Sequence, residues 1–233
     1  MKRRQAIKIS SIAAIGATAT ISSGCSTNEF SFNHGVASGD PLEDRVILWT
    51  RVTPSKPGPL NVILEISQNE KFSDIAFVKK LQTSSLSDYT IKYDFLANDY
   101  CDGHKGFFYR FRAGDAISEV GQSKIFSSET QKIKIGIFSC SNYPAGYFNA
   151  YEAAAEKNDL DLWLHLGDYL YEYPMGGYAT ESAEKLGRTP NPKHEMITLS
   201  DYRQRHAQYK LDQGSKALHK NAPLIAVWDD HEF

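Results

Sequence analysis

Neither sign of charge dominates this sequence, and cysteine is scarce. The 26 Lys and Arg residues nearly balance the 28 Asp and Glu residues, which leaves a net charge of −2. Nucleic-acid-binding domains carry a strongly basic balance or patch, so the composition gives no reason to expect nucleic-acid affinity. The three cysteines are Cys25, Cys101 and Cys140. Cys101 and Cys140 could form a disulfide, or Cys140 could bind a metal as a thiolate.

The sequence also lacks a hydrophobic run long enough to cross a membrane. Basic residues that include Arg3 and Arg4 precede a mildly apolar run at 7–24. This run is too short and too weakly apolar for a spanning helix, and residues 1–25 have the layout of an export signal. The arginine pair resembles a twin-arginine signal, with an ordinary secretory signal as the alternative. We therefore expect export to the periplasm or cell surface through the twin-arginine machinery.

The end of this segment carries a second signal. Ser22-Ser23-Gly24-Cys25 resembles a degenerate lipoprotein cleavage site, in which Cys25 is the acylated residue. One lipid anchor at Cys25 would hold the protein at a membrane surface without spanning it. Lipidation of Cys25 stays open at this point, because the Leu that normally stands three places earlier is absent.

Residues 32–127 have the pattern of an all-β domain. Short runs of β-forming residues alternate there with turn signals, which predicts an immunoglobulin-like or fibronectin-like β-sandwich. No cluster of His, Cys or carboxylate residues follows these runs, and we interpret His34, Asp40, Glu43 and Asp44 as turn residues. The predicted strands are 45–52, 61–67, 91–96, 107–112 and 120–126.

Residues 132–233 change to an α/β pattern. Three short apolar runs read as buried parallel strands, and helical spacing predicts a crossover helix after the first of them. The segment at 173–198 is long, irregular and rich in Gly and Pro, which is typical of a functional lid. The predicted strands are 134–138, 160–166 and 224–228, and the predicted helices are 147–157, 201–211 with Ser200 as its cap, and 215–220.

Polar clusters follow each of the three parallel strands. They are Ser139-Cys140-Ser141-Asn142, Gly167-Asp168-Tyr169-Leu170-Tyr171 and Trp228-Asp229-Asp230-His231-Glu232. In open α/β sheets, ligands gather at the carboxyl ends of the strands, so all three clusters should meet at one edge. A thiol, a phenol, carboxylates and an imidazole at one edge indicate a metal-dependent hydrolase of phosphate esters.

The donor types suggest how metals would be held. A carboxylate between two ions is the natural bridge, and Asp168 is the best candidate. A trivalent ion such as Fe³⁺ accepts tyrosinate from Tyr171, three residues later, and Cys140 would add a soft donor. The third cluster would bind a second metal or hold the phosphate, through Asp229, Asp230 and His231.

These motifs resemble those of the alkaline phosphatase D family, the PhoD-like phosphoesterases. The similarity extends to the segments at 34–41, 47–51, 199–209 and 217–219. It implies a β-sandwich N-terminal domain, followed by a partial α/β calcineurin-like metallophosphoesterase domain at 132–233. It also implies Fe³⁺ and Ca²⁺ as cofactors and phosphate monoesters or diesters as substrates, the choice between them being open. The family's Cys, Asp and Tyr iron ligands correspond to Cys140, Asp168 and Tyr171. Because the family continues with further ligands, we expect this chain to be an N-terminal portion.

Two other functions remain as alternatives. Cys140 could be the nucleophile of a cysteine hydrolase, with His165 or His231 as its base. The chain could also be a non-catalytic surface binding protein built on the β domain. Bound iron and calcium would separate the phosphoesterase from both.

Overall fold

The computed structural model describes residues 29–100 and 102–232. The predicted export signal and the residues Cys25 and Cys101 lie outside these ranges. No helix in the described part of the chain is long and apolar enough to cross a membrane. The strands are β1 (Phe30–Ser31), β2 (Val36–Gly39), β3 (Arg45–Arg51), β4 (Thr53–Pro54), β5 (Leu60–Ser67), β6 (Ile75–Thr83), β7 (Thr90–Leu96), β8 (Phe107–Ala113), β9 (Ala116–Ile117), β10 (Gly121–Ser123), β11 (Ile135–Phe138), β12 (Leu162–His165) and β13 (Leu224–Ala226). The α-helices are α1 (Asn149–Lys157), α2 (Leu199–Tyr209) and α3 (Gln213–Asn221).

Two sheets face each other in the first half of the chain. One is antiparallel with the order β10-β8-β5-β6 and β9 beside β8; the other contains β2, β3 and β7. Side chains alternate along β3 and β8, so every second residue enters the space between the sheets. Val46 and Leu48 from one sheet pack there with Leu64, Phe107 and Phe111 from the other. This packing agrees with the predicted β-sandwich.

One mixed sheet joins the two halves of the chain. The strands β11, β12 and β13 are parallel, and β13 is followed by β2, β3 and β7 in the same sheet. The junction is a single pair, Leu224 beside Gly39, and the amide of Asp40 donates to the Leu224 carbonyl over 3.0 Å. A Cβ at Gly39 would lie 2.9 Å from that carbonyl oxygen, so glycine is needed for the approach. The β-sandwich and the parallel strands therefore form a continuous framework.

Helices α1 and α3 cover one face of the parallel strands. Tyr151 from α1 and Leu218 from α3 pack against Trp163 of β12, which is fully buried. The predicted crossover helix and parallel strands are present, each somewhat shorter than expected. The expected cap of α2 at Ser200 is wrong. The cap is Thr198, because its side chain accepts from the Asp201 amide while the Asp201 carboxylate accepts from the Thr198 amide.

Two buried arginines hold the long segment at 173–198. Arg205 donates to backbone carbonyls at both ends of it, including that of Pro192 at 2.9 Å and that of Tyr173 at 3.3 Å. Arg188, within the segment, donates to the Tyr143 carbonyl at 2.6 Å and to the Asp212 carboxylate at 2.7 Å. These contacts fix a segment without regular secondary structure, and they give no support to its interpretation as a mobile lid.

Candidate metal centre

Three loops meet at the carboxyl edge of β11, β12 and β13. The Cys140 amide donates to the Gly167 carbonyl at 3.2 Å, and the Ser141 amide donates to the Asp168 carbonyl at 2.8 Å. Both Cys140 and Asp168 have left-handed backbones, with φ of 60° and 54°. This conformation costs a non-glycine residue about 1–2 kcal/mol, and such strain concentrates at functional sites. The loops therefore come together as predicted, and the left-handed backbones of Cys140 and Asp168 cost energy in this arrangement.

Asp168 lies at the middle of this edge. Its side chain is buried, and its Oδ2 accepts from the Tyr171 hydroxyl at 3.2 Å and from the Cys140 thiol at 3.5 Å. Its Oδ1 is also buried and has no hydrogen-bond partner among the residues that the structure describes. An unpaired buried carboxylate oxygen is costly unless a cation compensates it. The donor set and this orphaned oxygen both fit a metal ion.

A second group of donors lies against the same carboxylate. Ligand atoms of Asp168, Asp230 and His231 all lie within 4.8 Å of one another. The rings of Tyr171 and His231 lie against each other, with 4.3 Å between their centroids. Asp168 thus belongs to two groups, one with Cys140 and Tyr171 and the other with Asp230 and His231.

Asp229 is placed differently from the other five predicted metal-site residues. Its Oδ1 accepts from the amide of Asp230 at 3.1 Å. Asp229 is not part of the group formed by Asp168, Asp230 and His231. Its observed contact shapes the backbone of its own loop.

Two glutamates that sequence reasoning left without a role support the site. Glu172 Oε2 lies 2.8 Å from His231 Nδ1 and accepts a hydrogen bond from it. Burial lowers the pKa of His231, but the hydrogen bond and charge of Glu172 outweigh it, so that this pKa lies above its ordinary value. A carboxylate on one ring nitrogen fixes an imidazole so that the other nitrogen faces a metal.

Glu232 joins the loops after β12 and β13. Its carboxylate accepts from the amides of Asp168 at 3.2 Å, Tyr169 at 2.5 Å and Asp229 at 2.8 Å. The only signal for Glu232 in the sequence was its place at the end of the Asp-Asp-His-Glu motif. Two of its three partners, Asp168 and Tyr169, lie more than 60 residues earlier in the chain.

The Tyr171 phenol is held in its protonated form by its surroundings. Burial raises its pKa above the usual range, and the neighbouring Cys140 and Asp168 raise it further. A metal ion at this position would have to displace the proton, which is a general feature of metal binding by acidic ligands.

The geometry gives Cys140 no imidazole base. His165 is buried, and its Nε2 lies 3.1 Å from Ser141 Oγ. His231 is paired with Glu172, and the Cys140 thiol donates to Asp168. Within the described ranges, no hydrogen bond joins Cys140 to a histidine. The cysteine hydrolase considered above would use His165 or His231 as the base of Cys140, and this arrangement does not favour that pairing.

Comparisons with known proteins point to one family. Residues 135–233 match the family model described as PhoD-like phosphatase, and residues 17–127 match the PhoD-like phosphatase N-terminal domain. Alkaline phosphatase D of Bacillus subtilis (strain 168) is 37% identical over 218 residues, which is 88% of this chain but 36% of that protein. The solved structure of PhoD is 36% identical with a TM-score of 0.77 and is matched over 86% of this chain and 39% of its own. The chain spans little more than a third of these relatives. By these matches the chain belongs to the PhoD-like phosphatase family and corresponds to its N-terminal portion.

Proposed function

We propose that this chain is part of an exported, metal-dependent phosphoesterase that hydrolyses phosphate monoesters, diesters or both. The observation that carries the proposal is the position of Asp168 in two donor groups with one buried oxygen unpaired. A carboxylate shared between two sets of donors is the arrangement that a pair of metal ions requires. The α/β part would accordingly belong to the calcineurin-like class.

The two donor groups differ in chemistry. Cys140 and Tyr171 combine a soft sulfur with a phenolic oxygen, a set that suits Fe³⁺ better than a divalent oxygen-seeking ion. Asp168 and Asp230 offer the carboxylate oxygens that Ca²⁺ prefers, and His231 lies beside them. When bound, the ions would neutralise phosphate charge and activate a water for attack.

The other residues of the chain prepare this site. Glu232 holds the two loops in register, and Glu172 sets the orientation of His231. Asp229, predicted as a ligand, would act instead through the turn that positions Asp230. Each of these groups acts through a neighbour rather than on the ester itself.

A cavity of about 480 Å³ opens beside Cys140 and Tyr171. Tyr147 and Tyr178 form exposed parts of its wall, and none of the described residues that line it is charged. Aromatic rings with hydroxyl and amide groups suit the organic part of an ester rather than a second anion. We assign this cavity to the alcohol group of the substrate.

The activity test uses the complete gene product loaded with Fe³⁺ and Ca²⁺. It should hydrolyse p-nitrophenyl phosphate or its bis-ester, lose the activity on chelation and regain it when both metals return. Asp168→Asn should abolish turnover, because the shared carboxylate is lost, while Asp115→Asn in an exposed turn serves as the matched control. A metal-loaded protein that turns over neither ester would favour a surface binding protein. Activity that survives chelation would favour the cysteine hydrolase.

Export is a separate part of the proposal and is carried by the sequence alone. Replacing Arg3 and Arg4 by lysine should block translocation of the folded protein if the twin-arginine route is used. Fractionation of cells that express the native and the altered gene would report the location. Mass spectrometry of the mature N-terminus would report whether Cys25 carries a lipid. Unchanged export of the variant would point to the ordinary secretory route.

A further inference from the structure

A larger cavity lies away from the metal centre. It has a volume of about 790 Å³ and is bounded by α2 and by the outward face of β2 and β3. None of the six residues predicted at the metal centre lines it. Cavities of 300–1,000 Å³ are typical of small-molecule sites in proteins, so the volume suits a small ligand with several rings or a short alkyl chain.

Sequence motifs that the metal centre does not use meet in this cavity. Trp49 and Arg51 come from β3, Tyr202 and Arg203 from α2, and His219 from α3. These residues lie up to 170 positions apart in the chain, as the numbers of Trp49 and His219 show. All belong to segments that carry the resemblance to the phosphatase family, and none of them contacts the predicted metal donors. These segments, which are distant in the sequence, therefore line one cavity.

Lys210 lies at the inner end of the cavity and is only partly accessible from it. Its Nζ donates to the Tyr169 hydroxyl at 2.9 Å and to His219 Nε2 at 2.6 Å. An ammonium group has three donors, so one N–H remains without an acceptor in the described part of the chain. Both acceptors are neutral, and burial lowers the pKa of Lys210 to about 7. The position is therefore suited to a negative charge that the protein itself does not supply.

Two carboxylates, Asp40 and Asp88, line the cavity against three cations, Arg51, Arg203 and Lys210, and no described carboxylate forms an ion pair with Lys210. Arg51 is already paired with Asp88, with 2.8 Å between nitrogen and oxygen. Arg203 donates to the carbonyl of Leu86 at 2.9 Å and forms no ion pair with a described residue. The cavity therefore has an excess of positive charge next to aromatic walls.

The walls of the cavity require a ligand with an apolar part. The Lys210 ammonium lies 5.4 Å from the centre of the Trp49 ring, which faces the cavity. Ile47 and Leu224 add aliphatic surface beside it. A ligand that reaches Lys210 must lie along this apolar surface, where burial of its own apolar area would add to its affinity.

We propose that this cavity binds a small amphiphilic anion, with the acid group at Lys210 and the apolar body against Trp49. The site is separate from the metal centre and does not depend on the proposed phosphoesterase activity. The acid group is a monoanion such as a carboxylate, sulfonate or phosphate diester, because one uncompensated cation lies at the inner end. Arg203 would contact the same group or a second acidic oxygen from the rim.

The test uses two probes that differ in one group. Anilinonaphthalene sulfonate carries an acid group on its rings, and N-phenylnaphthylamine has similar rings without it. Fluorescence titration of the complete gene product, metal-free, should give one saturable sulfonate site with energy transfer from tryptophan. Loss of a charge-assisted hydrogen bond in Lys210→Met should weaken sulfonate binding by about tenfold or more. The same variant should leave binding of the neutral probe within about twofold, because Met retains apolar contacts.

Matched variants keep the result interpretable. Lys80→Met removes a lysine from the exposed strand β6 and should leave both titrations unchanged. Arg203→Met changes a partly exposed rim residue, so it tests the site even if Lys210→Met does not fold. It should also weaken the sulfonate selectively. Three results would each overturn the proposal. The two probes could bind equally well, or Lys80→Met could weaken sulfonate binding as much as Lys210→Met does. The sulfonate could also show no saturable binding because another segment of the protein fills the cavity.

Discussion

Glu232 offers the sharpest test of how the metal centre is held together. One of its oxygens accepts from the amides of Asp168 and Asp229, and the other accepts from Tyr169. In Glu232→Gln the side-chain oxygen can still accept from the amides of Asp168 and Asp229. The side-chain NH₂ group would then face the Tyr169 amide, and since both groups are donors, no hydrogen bond forms between them. The variant loses one hydrogen bond to a charged acceptor, which contributes about 1.5–3 kcal/mol.

That loss falls on the loop that carries Asp168. If the metal-bound state needs this loop in its native position, a loss of about 1.5–3 kcal/mol corresponds to about 10–150-fold weaker metal binding. Calcium titration by calorimetry and elemental analysis after dialysis at fixed free iron would measure it. Glu195→Gln, an exposed change of the same charge, is the control. A folded Glu232→Gln protein with metal affinity within about twofold of the native protein would refute the positioning role.

Four further changes probe the site and the fold. Tyr171→Phe should abolish or shift the visible phenolate-to-iron absorption of the metal-loaded protein, and iron-free protein by elemental analysis would contradict the assignment. Cys140→Ala should lower metal content and activity together, whereas a substrate adduct on Cys140 in mass spectrometry would make it a nucleophile. Burial and then the charge of Arg51 lower the pKa of His34 from 6.5 to about 4, so its stabilisation is present above pH 6.5 and is lost as the pH falls towards 4. That loss is about 3 kcal/mol, and His34→Gln should reduce the pH dependence of the urea-derived stability by this amount, while burial of His165 and His206, which lowers their pKa values to about 4, maintains the rest. Arg188→Met should lower the free energy of unfolding by about 3–5 kcal/mol, because it leaves Asp212 buried and uncompensated, and adding Asp212→Asn should recover part of it.

The sequence predicted best where side-chain periodicity was strong. Strands β3, β5, β7 and β8 were predicted within one or two residues, because alternate positions enter the sandwich core. Strand β6 was missed, since it lies at the edge of its sheet and most of its side chains are exposed. An exposed edge strand has no apolar alternation to reveal it. Strand β2 was missed as well, because Val36–Gly39 is short and its residues are small.

The site was predicted in composition but not in its internal connections. The rule that polar groups gather at strand ends placed Cys140, Asp168, Tyr171, Asp230 and His231 at one edge, and their side chains lie together there. It could not distinguish Asp229 from Asp230, because neighbours in a turn point in different directions. It also gave no partner to Glu172 or Glu232, since their hydrogen bonds are formed between loops rather than along one strand. Contacts between loops depend on backbone conformation, for which periodicity carries no information.

The Gly-Asp-Tyr and Asp-Asp-His-Glu motifs are therefore best understood as two halves of one structural unit. Gly167 has φ of 107°, and a Cβ there would lie 2.5 Å from Asp229 Cβ and 2.8 Å from its amide nitrogen. Only glycine allows this approach of the two loops, and the approach lets Glu232 reach the amides of both. Those bonds help to hold Asp168 in a left-handed conformation, which is less favourable than the right-handed one for a residue with a side chain. Each motif thus supplies what the other requires, and neither could present its carboxylates in this geometry without its partner.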